Sequence, residues 1–506
     1  MALPPAGKPA RKAGILLHLT SLPGPFGIGD MGPAARTFAD QLQKSGQRIW
    51  QVLPVNPIDA GNGSPYSALS AMAGNILLIS PDLLVTEGLL EAESLLKYQQ
   101  PSTSAVDFAT AARYKVAMLE SAWLNFSSGS FPALHAEFEA FCIQEEAWLQ
   151  SYATHKALTV KYGNKPWQEW PAADRKKEAT LNSEYAVIAL KEQWWQFIFD
   201  RQWQQLKDYC HQRSIALFGD LPFYISHAAA DVWSHRDLFL LDDKGQMTSV
   251  AGVPPDYFNA GGQRWNMPIY NWAQMKAAGY NWWLQRIRRN LHWFDLLRLD
   301  HFRAFAAYWQ VPAEAPTAET GTWEPGPGSD LLQAMISAFP DNPFVAEDLG
   351  AIDAAVTDLR DKTGLPGMKV LQFAFGKDMP ESEHIPHQYP THCYAYTGTH
   401  DNNTTLGWWQ QEAGPLETGH LKQYTGVNPG KKKAHLLLGR LAYASVAATA
   451  ILPMQDVLGL GAAARMNTPA GEGQHWTWRM LPGEFDKKTM NRLKKWTQLY
   501  NRSAHE

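Results

Sequence analysis

The sequence is poor in cysteine. Cys142, Cys210 and Cys393 are the only three in 506 residues; they are far apart and odd in number, so neither a disulfide framework nor a zinc knuckle is expected. No sign of charge dominates either. The chain has 45 basic and 49 acidic residues, a formal net charge of −4, with no long block of one sign. A nucleic-acid-binding protein needs a basic face, so nucleic acid is excluded as the main partner. No apolar run reaches the roughly 20 residues that span a bilayer. The opening stretch "MALPPAGKPARKAGILLHLTS" has basic residues, but its apolar part is short and runs straight into patterned sequence. No signal peptide is read there, and a soluble cytoplasmic protein is expected. Coiled-coil heptads are missing as well, so a monomer or weak homodimer is expected.

Tryptophan, in contrast, is abundant, with 21 residues. Flat indole faces suit the apolar C–H faces of sugar rings, and the indole N–H can donate to hydroxyls. Tryptophan also fills large cores, so the count hints at carbohydrate without assigning any single residue.

Short apolar runs alternate with amphipathic stretches. The runs at 14–21, 48–55, 215–223, 295–300, 344–348, 369–375, 393–399 and 449–454 predict strands apolar on both faces, as in a parallel sheet covered by helices. Helical spacing predicts helices over 33–45, 193–209, 282–293, 331–339, 352–359 and 434–446. Eight strands alternating with helices indicate a closed (β/α)8 barrel. The rhythm breaks between the second and third strands, where residues 82–190 read as an inserted, mostly helical subdomain. Residues 1–81 then hold the first barrel strands and helix, and 191–506 the rest of the barrel. The Gly/Pro/Asn-rich "DAGNGSPYSALSAMAGN" and the segment 250–268, "VAGVPPDYFNAGGQRWNMP", read as long loops leaving strand ends, where a barrel keeps its function.

In such barrels chemistry gathers at the C-terminal ends of the strands. Those ends carry Asp220, then Arg298 with Asp300, then Glu347 with Asp348, then His400 with Asp401. One aspartate after a strand is an ordinary cap or turn residue; carboxylates on four strand ends are poorly explained that way. Two carboxyl groups facing each other across a bond can divide the work, one ionised and attacking, the other protonated and donating. That is the apparatus of glycosidic bond cleavage, and a separation of about 5–5.5 Å goes with retention of configuration. Arg298 precedes Asp300 by two residues and so shares its face of the strand, where a guanidinium would hold Asp300 ionised. Sequence does not supply the separation, so retention stays open at this point.

The stretches "ILLHLTSLPGPFGIGD", "WQVLPVNP", "SPYSALSAMAGN", "GDLPFYISHAAADVW", "AGVPPDYFNAGGQRW", "LRLDHFRAF", "VAEDLG", "GLPGMKVLQFAF", "YTGTHDNNTT" and "ARMNTP" cover nearly the whole chain. In them the sequence resembles the 4-α-glucanotransferases of the amylomaltase type, the disproportionating enzymes of glycoside hydrolase family 77. The resemblance implies that Asp300 is the nucleophile and Glu347 the general acid/base, with Asp401 as a third carboxylate that binds sugar hydroxyls. It implies that Arg298 and His400 surround the cleaved bond, that Asp220 supports it, and that Ser64 and Tyr66 help bind the glucan. Asp256, Tyr257 and Phe258 would belong to a mobile loop over the site, with Trp265 beside it. No organic cofactor and no metal is implied. The implied reaction transfers an α-1,4-glucan segment from a malto-oligosaccharide or amylose donor to the 4-hydroxyl of another glucan; a retaining α-glucan hydrolase of the α-amylase type is the alternative. Four stretches depart from the family's pattern: "NGSPY" lacks its acidic residue before SPY, "QRWNMP" stands for QRWGNP, "RAF" for RGF and "HDNN" for HDND.

Composition alone leaves the 250–268 segment open between a lid and an ordinary rim loop; the resemblance favours the lid. A metal-dependent barrel hydrolase would want an H-x-H pair on an early strand, but the first strand offers only His18 between Leu17 and Leu19. "GLGAAA" at 459–464 imitates a dinucleotide-binding glycine loop but lacks the third glycine, and Pro469 cuts short the helix it would open. A non-catalytic carbohydrate-binding protein would not need both Asp300 and Glu347.

Overall fold

The computed structural model describes residues 11–59, 63–177, 180–255, 261–469, 471 and 475–503. Among the described residues twelve strands follow in chain order: β1 Lys12–Leu16, β2 Ile49–Gln51, β3 Ala216–Leu221, β4 Ser249–Val253, β5 Gln263–Pro268, β6 Leu296–Leu299, β7 Ala307–Pro312, β8 Thr322–Pro325, β9 Phe344–Ala346, β10 Gly367–Val370, β11 Cys393–Tyr396 and β12 Thr449–Pro453. Eight of them form one parallel sheet in the order β10-β11-β12-β1-β2-β3-β6-β9. The Ala346 N–H donates to Pro366 O at 2.9 Å, joining the two outer strands and closing the cylinder. The protein is a (β/α)8 barrel. Each of the eight barrel strands overlaps its predicted run and is shorter than it; β1 and β10 begin two residues before theirs, and Leu371–Phe373, expected as strand, is a 3-10 turn. In the second run only Ile49–Gln51 is strand, yet Val52 to Val55 remain buried as the chain turns out at Pro54.

Between β2 and β3 the chain forms helices at Pro81–Thr86, Phe108–Ser128, Pro132–Gln144, Glu146–Lys161 and Ala172–Arg175, then the long Ser183–His211. That last helix runs unbroken through position 190, so the helical region and the barrel wall share an element. Its start is fixed by Asn182, whose side chain accepts the Tyr185 N–H at 3.1 Å. Further along, two glutamines grip the loop after β2. Gln196 accepts from Gly74 N at 2.7 Å and donates to Gly74 O at 3.0 Å; Gln202 does the same with Ser80 at 2.7 and 3.1 Å. A buried ion pair, Lys115 Nζ to Asp30 Oδ2 at 2.5 Å, ties the Phe108–Ser128 helix to the loop after β1.

The segment 250–268, expected as a loop, contains a hairpin instead: β4 pairs antiparallel with β5 and with β7, and β7 with β8, giving a second sheet in the order β5-β4-β7-β8. Strands β7 and β8 were not expected either. Glycine and proline break the period-2 pattern here, and the ladder partner of β4, strand β7, lies about 60 residues away, beyond the reach of local pattern. At Gly252 a Cβ would come within 2.4 Å of Gln263 O, so this strand pairing requires the glycine. Asp256, Tyr257 and Phe258, expected in the mobile loop, lie outside the described residues. Seven tryptophans, Trp50, Trp167, Trp194, Trp203, Trp233, Trp283 and Trp293, are among the most deeply buried side chains, so much of the tryptophan excess serves the core. Among the described residues no helix is long and apolar enough to cross a membrane.

Candidate active site

Register builds the site. Asp220 in β3 is the direct partner of Arg298 in β6, and Arg298 in turn is opposite Val345 in β9. The ladder then extends one rung past each strand end. Asp300 N donates to Leu221 O at 3.1 Å and Glu347 N to Leu299 O at 3.1 Å, which sets both carboxylates at the mouth of the barrel. Arg298 lies at the centre of the group. Its Nη1 is 2.9 Å from both Asp220 oxygens and 2.8 Å from Asp300 Oδ1, and its Nη2 is 3.9 Å from Glu347 Oε2.

Three carboxyl groups therefore share one guanidinium, and the charges do not balance. Burial works against the Arg298 charge, but Asp220 and Asp300 more than offset it and hold the guanidinium protonated. Burial pushes Glu347 well above the usual carboxylate range; Arg298 opposes this, Asp300 adds to it, and the His301 amide, donating to Oε2 at 2.8 Å, opposes it. Burial also raises Asp220 against the pull of Arg298; Tyr66 donates its hydroxyl to Oδ2 at 2.7 Å. The surplus negative charge is thus relieved most easily by a proton on Glu347.

Glu347 and Asp348 are neighbours with opposite fates. Asp348 turns into the barrel wall, where it accepts the Met368 N–H at 2.7 Å and pairs with Arg360. Asp401 stands on a loop after β11. Burial would raise its carboxyl, but His400 at 3.3 Å and Asn467, donating to Oδ1 at 2.6 Å, hold it far below the carboxylate range. Asp401 is a stable anion.

The structure brings Asp220, Arg298, Asp300, Glu347, Tyr66, His400 and Asp401 together. Tyr66 stacks on His400, with centroids 5.1 Å apart and rings 15° from parallel. Ser64 shapes the same loop rather than joining the carboxylates: its Oγ accepts the Tyr66 N–H at 3.3 Å. Trp265 on β5 meets His301 edge-on at 4.9 Å. Three residues not expected at the site also belong to it. Asn467 holds Asp401, Arg465 donates to Asp401 O at 2.7 Å, and Trp476 lies 5.6 Å from Tyr66 and 5.7 Å from His400. The "ARMNTP" stretch was the available signal for the first two; Trp476 had none.

The family model for glycoside hydrolase family 77, described as 4-alpha-glucanotransferase, matches residues 17–484. A 4-alpha-glucanotransferase of Synechocystis sp. is 44% identical over 505 residues, covering 98% of this chain and 99% of the relative. That of Thermus thermophilus is 42% identical, covering 96% and 97%. Among solved structures, an amylomaltase from Streptococcus agalactiae in complex with acarbose superposes with a TM-score of 0.93 at 35% identity, covering 98% of this chain and 100% of that one. With the barrel, the paired carboxyls and these likenesses in agreement, the chain belongs to glycoside hydrolase family 77, the 4-alpha-glucanotransferases.

Proposed function

We propose that this transferase works by a double displacement in which Asp300 is the nucleophile and Glu347 the acid and then the base. Asp300 attacks the anomeric carbon of an α-1,4-linked glucan while the Glu347 proton passes to the departing oxygen; the C–O bond breaks and a glycosyl ester on Asp300 forms. Glu347, now a carboxylate, takes the proton of an incoming 4-hydroxyl as that oxygen attacks the same carbon and releases Asp300. Configuration is retained because it is inverted twice. Arg298 supports this reading more than any other feature, lying 2.8 Å from one carboxyl and 3.9 Å from the other. Asp401, fixed as an anion by His400 and Asn467, accepts sugar hydroxyls, and Tyr66, His400 and Trp265 line the sugar's path.

The substrates in this reading are malto-oligosaccharides and longer α-1,4-glucans, and the chain needs no cofactor or metal ion for the steps above. We read the helices from residue 82 up to the Ser183–His211 helix as an insertion, since a barrel crossover between β2 and β3 needs only that helix, and the protein as a cytoplasmic monomer or weak homodimer. The segment 250–268, rooted on β4 and β5, would cover the glucan and favour a sugar acceptor over water. Incubation with maltotriose tests the function: glucose together with chains longer than the donor is expected. Shorter sugars alone would mean a hydrolase, and no change a binding protein.

A further inference from the structure

His301 follows the nucleophile directly, yet none of the steps above uses it. Its backbone is left-handed, with φ 49°, a conformation that residues other than glycine seldom adopt. That turn aims two successive amides at one residue. His301 N–H donates to Glu347 Oε2 at 2.8 Å, and Phe302 N–H to Glu347 O at 3.1 Å. The imidazole, for its part, packs against the indole of Trp265 at 80° between ring planes, and Trp265 belongs to the strand by which the 250–268 hairpin returns to the barrel.

A neutral carboxyl group has one oxygen that carries the proton and one that can only accept. An amide N–H pointed at one oxygen decides which is which. We propose that His301 is a positioning residue that keeps the Glu347 proton on Oε1: its amide claims Oε2, the oxygen that also faces Arg298, while Trp265 braces the His301 ring and so the left-handed turn. Oε1 is then the atom that delivers the proton to the glycosidic oxygen. After delivery the same amide and Arg298 stabilise the carboxylate that must act as base. The β5 strand of the hairpin thereby reaches the acid/base through one ring contact and one peptide unit. The inference rests on the acid/base role proposed for Glu347.

The charged groups facing Glu347 are Arg298 and Asp300 from the end of β6 and Asp348 next to it in the chain; His301 faces it through its backbone N–H and is the titratable neighbour. Burial pushes the His301 imidazole down to about 4, so the ring is neutral through the working range and adds no charge of its own there.

The test compares two donors in the full-length protein. Maltotriose needs its leaving group protonated; α-maltosyl fluoride, with azide as acceptor, needs neither acid nor base help. His301→Val, which resists a positive φ, is expected to lower kcat on maltotriose about 100-fold while changing the fluoride–azide rate less than about threefold. It should also displace the alkaline limb of the maltotriose pH profile. His301→Gly, which accepts the turn but loses the ring, should fall between wild type and valine. Should the valine variant fail to fold, His301→Ala carries the same donor comparison. Equal losses on both donors, or no loss with valine or alanine, would overturn the proposal. The underlying reading fails separately, if Glu347→Gln is no better rescued by fluoride and azide than by maltotriose.

Discussion

Two of the places where the molecule buries charge differ in outcome. In the helical region Lys115 meets Asp30, one cation to one anion, and Lys115 Nζ also donates to Ile79 O at 2.7 Å while Asp30 accepts from Gly32 N at 2.9 Å. At the barrel mouth one Arg298 meets three carboxyl groups. The first cluster pairs one cation with one anion at close range, so it locks two elements together. The second has more acid than base, and burial pushes the Glu347 carboxyl well above the usual range, which favours a proton there. Buried charge becomes chemistry when the count is uneven.

The largest effect that would sharpen this contrast lies in the unbalanced cluster. Asp300→Asn or Glu347→Gln should cut maltotriose turnover by about a thousandfold or more while leaving circular dichroism and the thermal midpoint near wild type. In wild type, activity should fall as pH rises through the raised pKa of Glu347, because the acid is then lost before it can donate; turnover that holds steady far into the alkaline range would contradict the protonated-acid assignment. The balanced cluster should answer in the opposite currency. Lys115→Met strands Asp30 without its cation and should cost about 3–5 kcal/mol of stability, read from the urea midpoint, with kcat of the folded enzyme unchanged. A stable Lys115→Met with damaged kcat would break the comparison.

A smaller effect is expected at Asn467. Removing its amide in Asn467→Ala frees one Asp401 oxygen and should lower kcat/KM roughly 10- to 100-fold, with the pH profile on the Glu347 side unmoved. The smallest concerns partition rather than rate: Phe258→Ala should raise the share of glucose formed by water, measured as reducing ends per transfer event. An unchanged ratio would remove the 250–268 hairpin from the selection of acceptor.

Much of this was legible in the sequence. Parallel barrel strands are buried on both faces, so their apolar runs stand out, and the carboxylates at their ends stand out by contrast. Asp220, Arg298, Asp300 and Glu347 could be found because each sits within one residue of a strand end. Strands β4, β5, β7 and β8 could not: β5, β7 and β8 are largely part-exposed, Gly252 interrupts β4, and the sheet depends on β4 pairing with β7 about 60 residues away. Asn467 and Trp476 reach the site from the far side of β12, and only the folded cylinder brings them next to β11. The left-handed turn at His301 leaves no trace in composition at all; a histidine there reads as a side chain, whereas its peptide is what touches Glu347.

Gln196 and Gln202 each present an amide, the same chemical unit as the main chain, to Gly74 and Ser80. The helix thus impersonates the edge of a neighbouring strand at two points six residues apart. Between those two clasps Leu78 and Ile79 are buried and Asn75 Oδ1 accepts the Leu77 N–H, so the loop is pinned by main chain at its ends and by side chains within. Exchanging either amide for a carboxylate would leave a carbonyl facing an acceptor, and the clasp would open from that end.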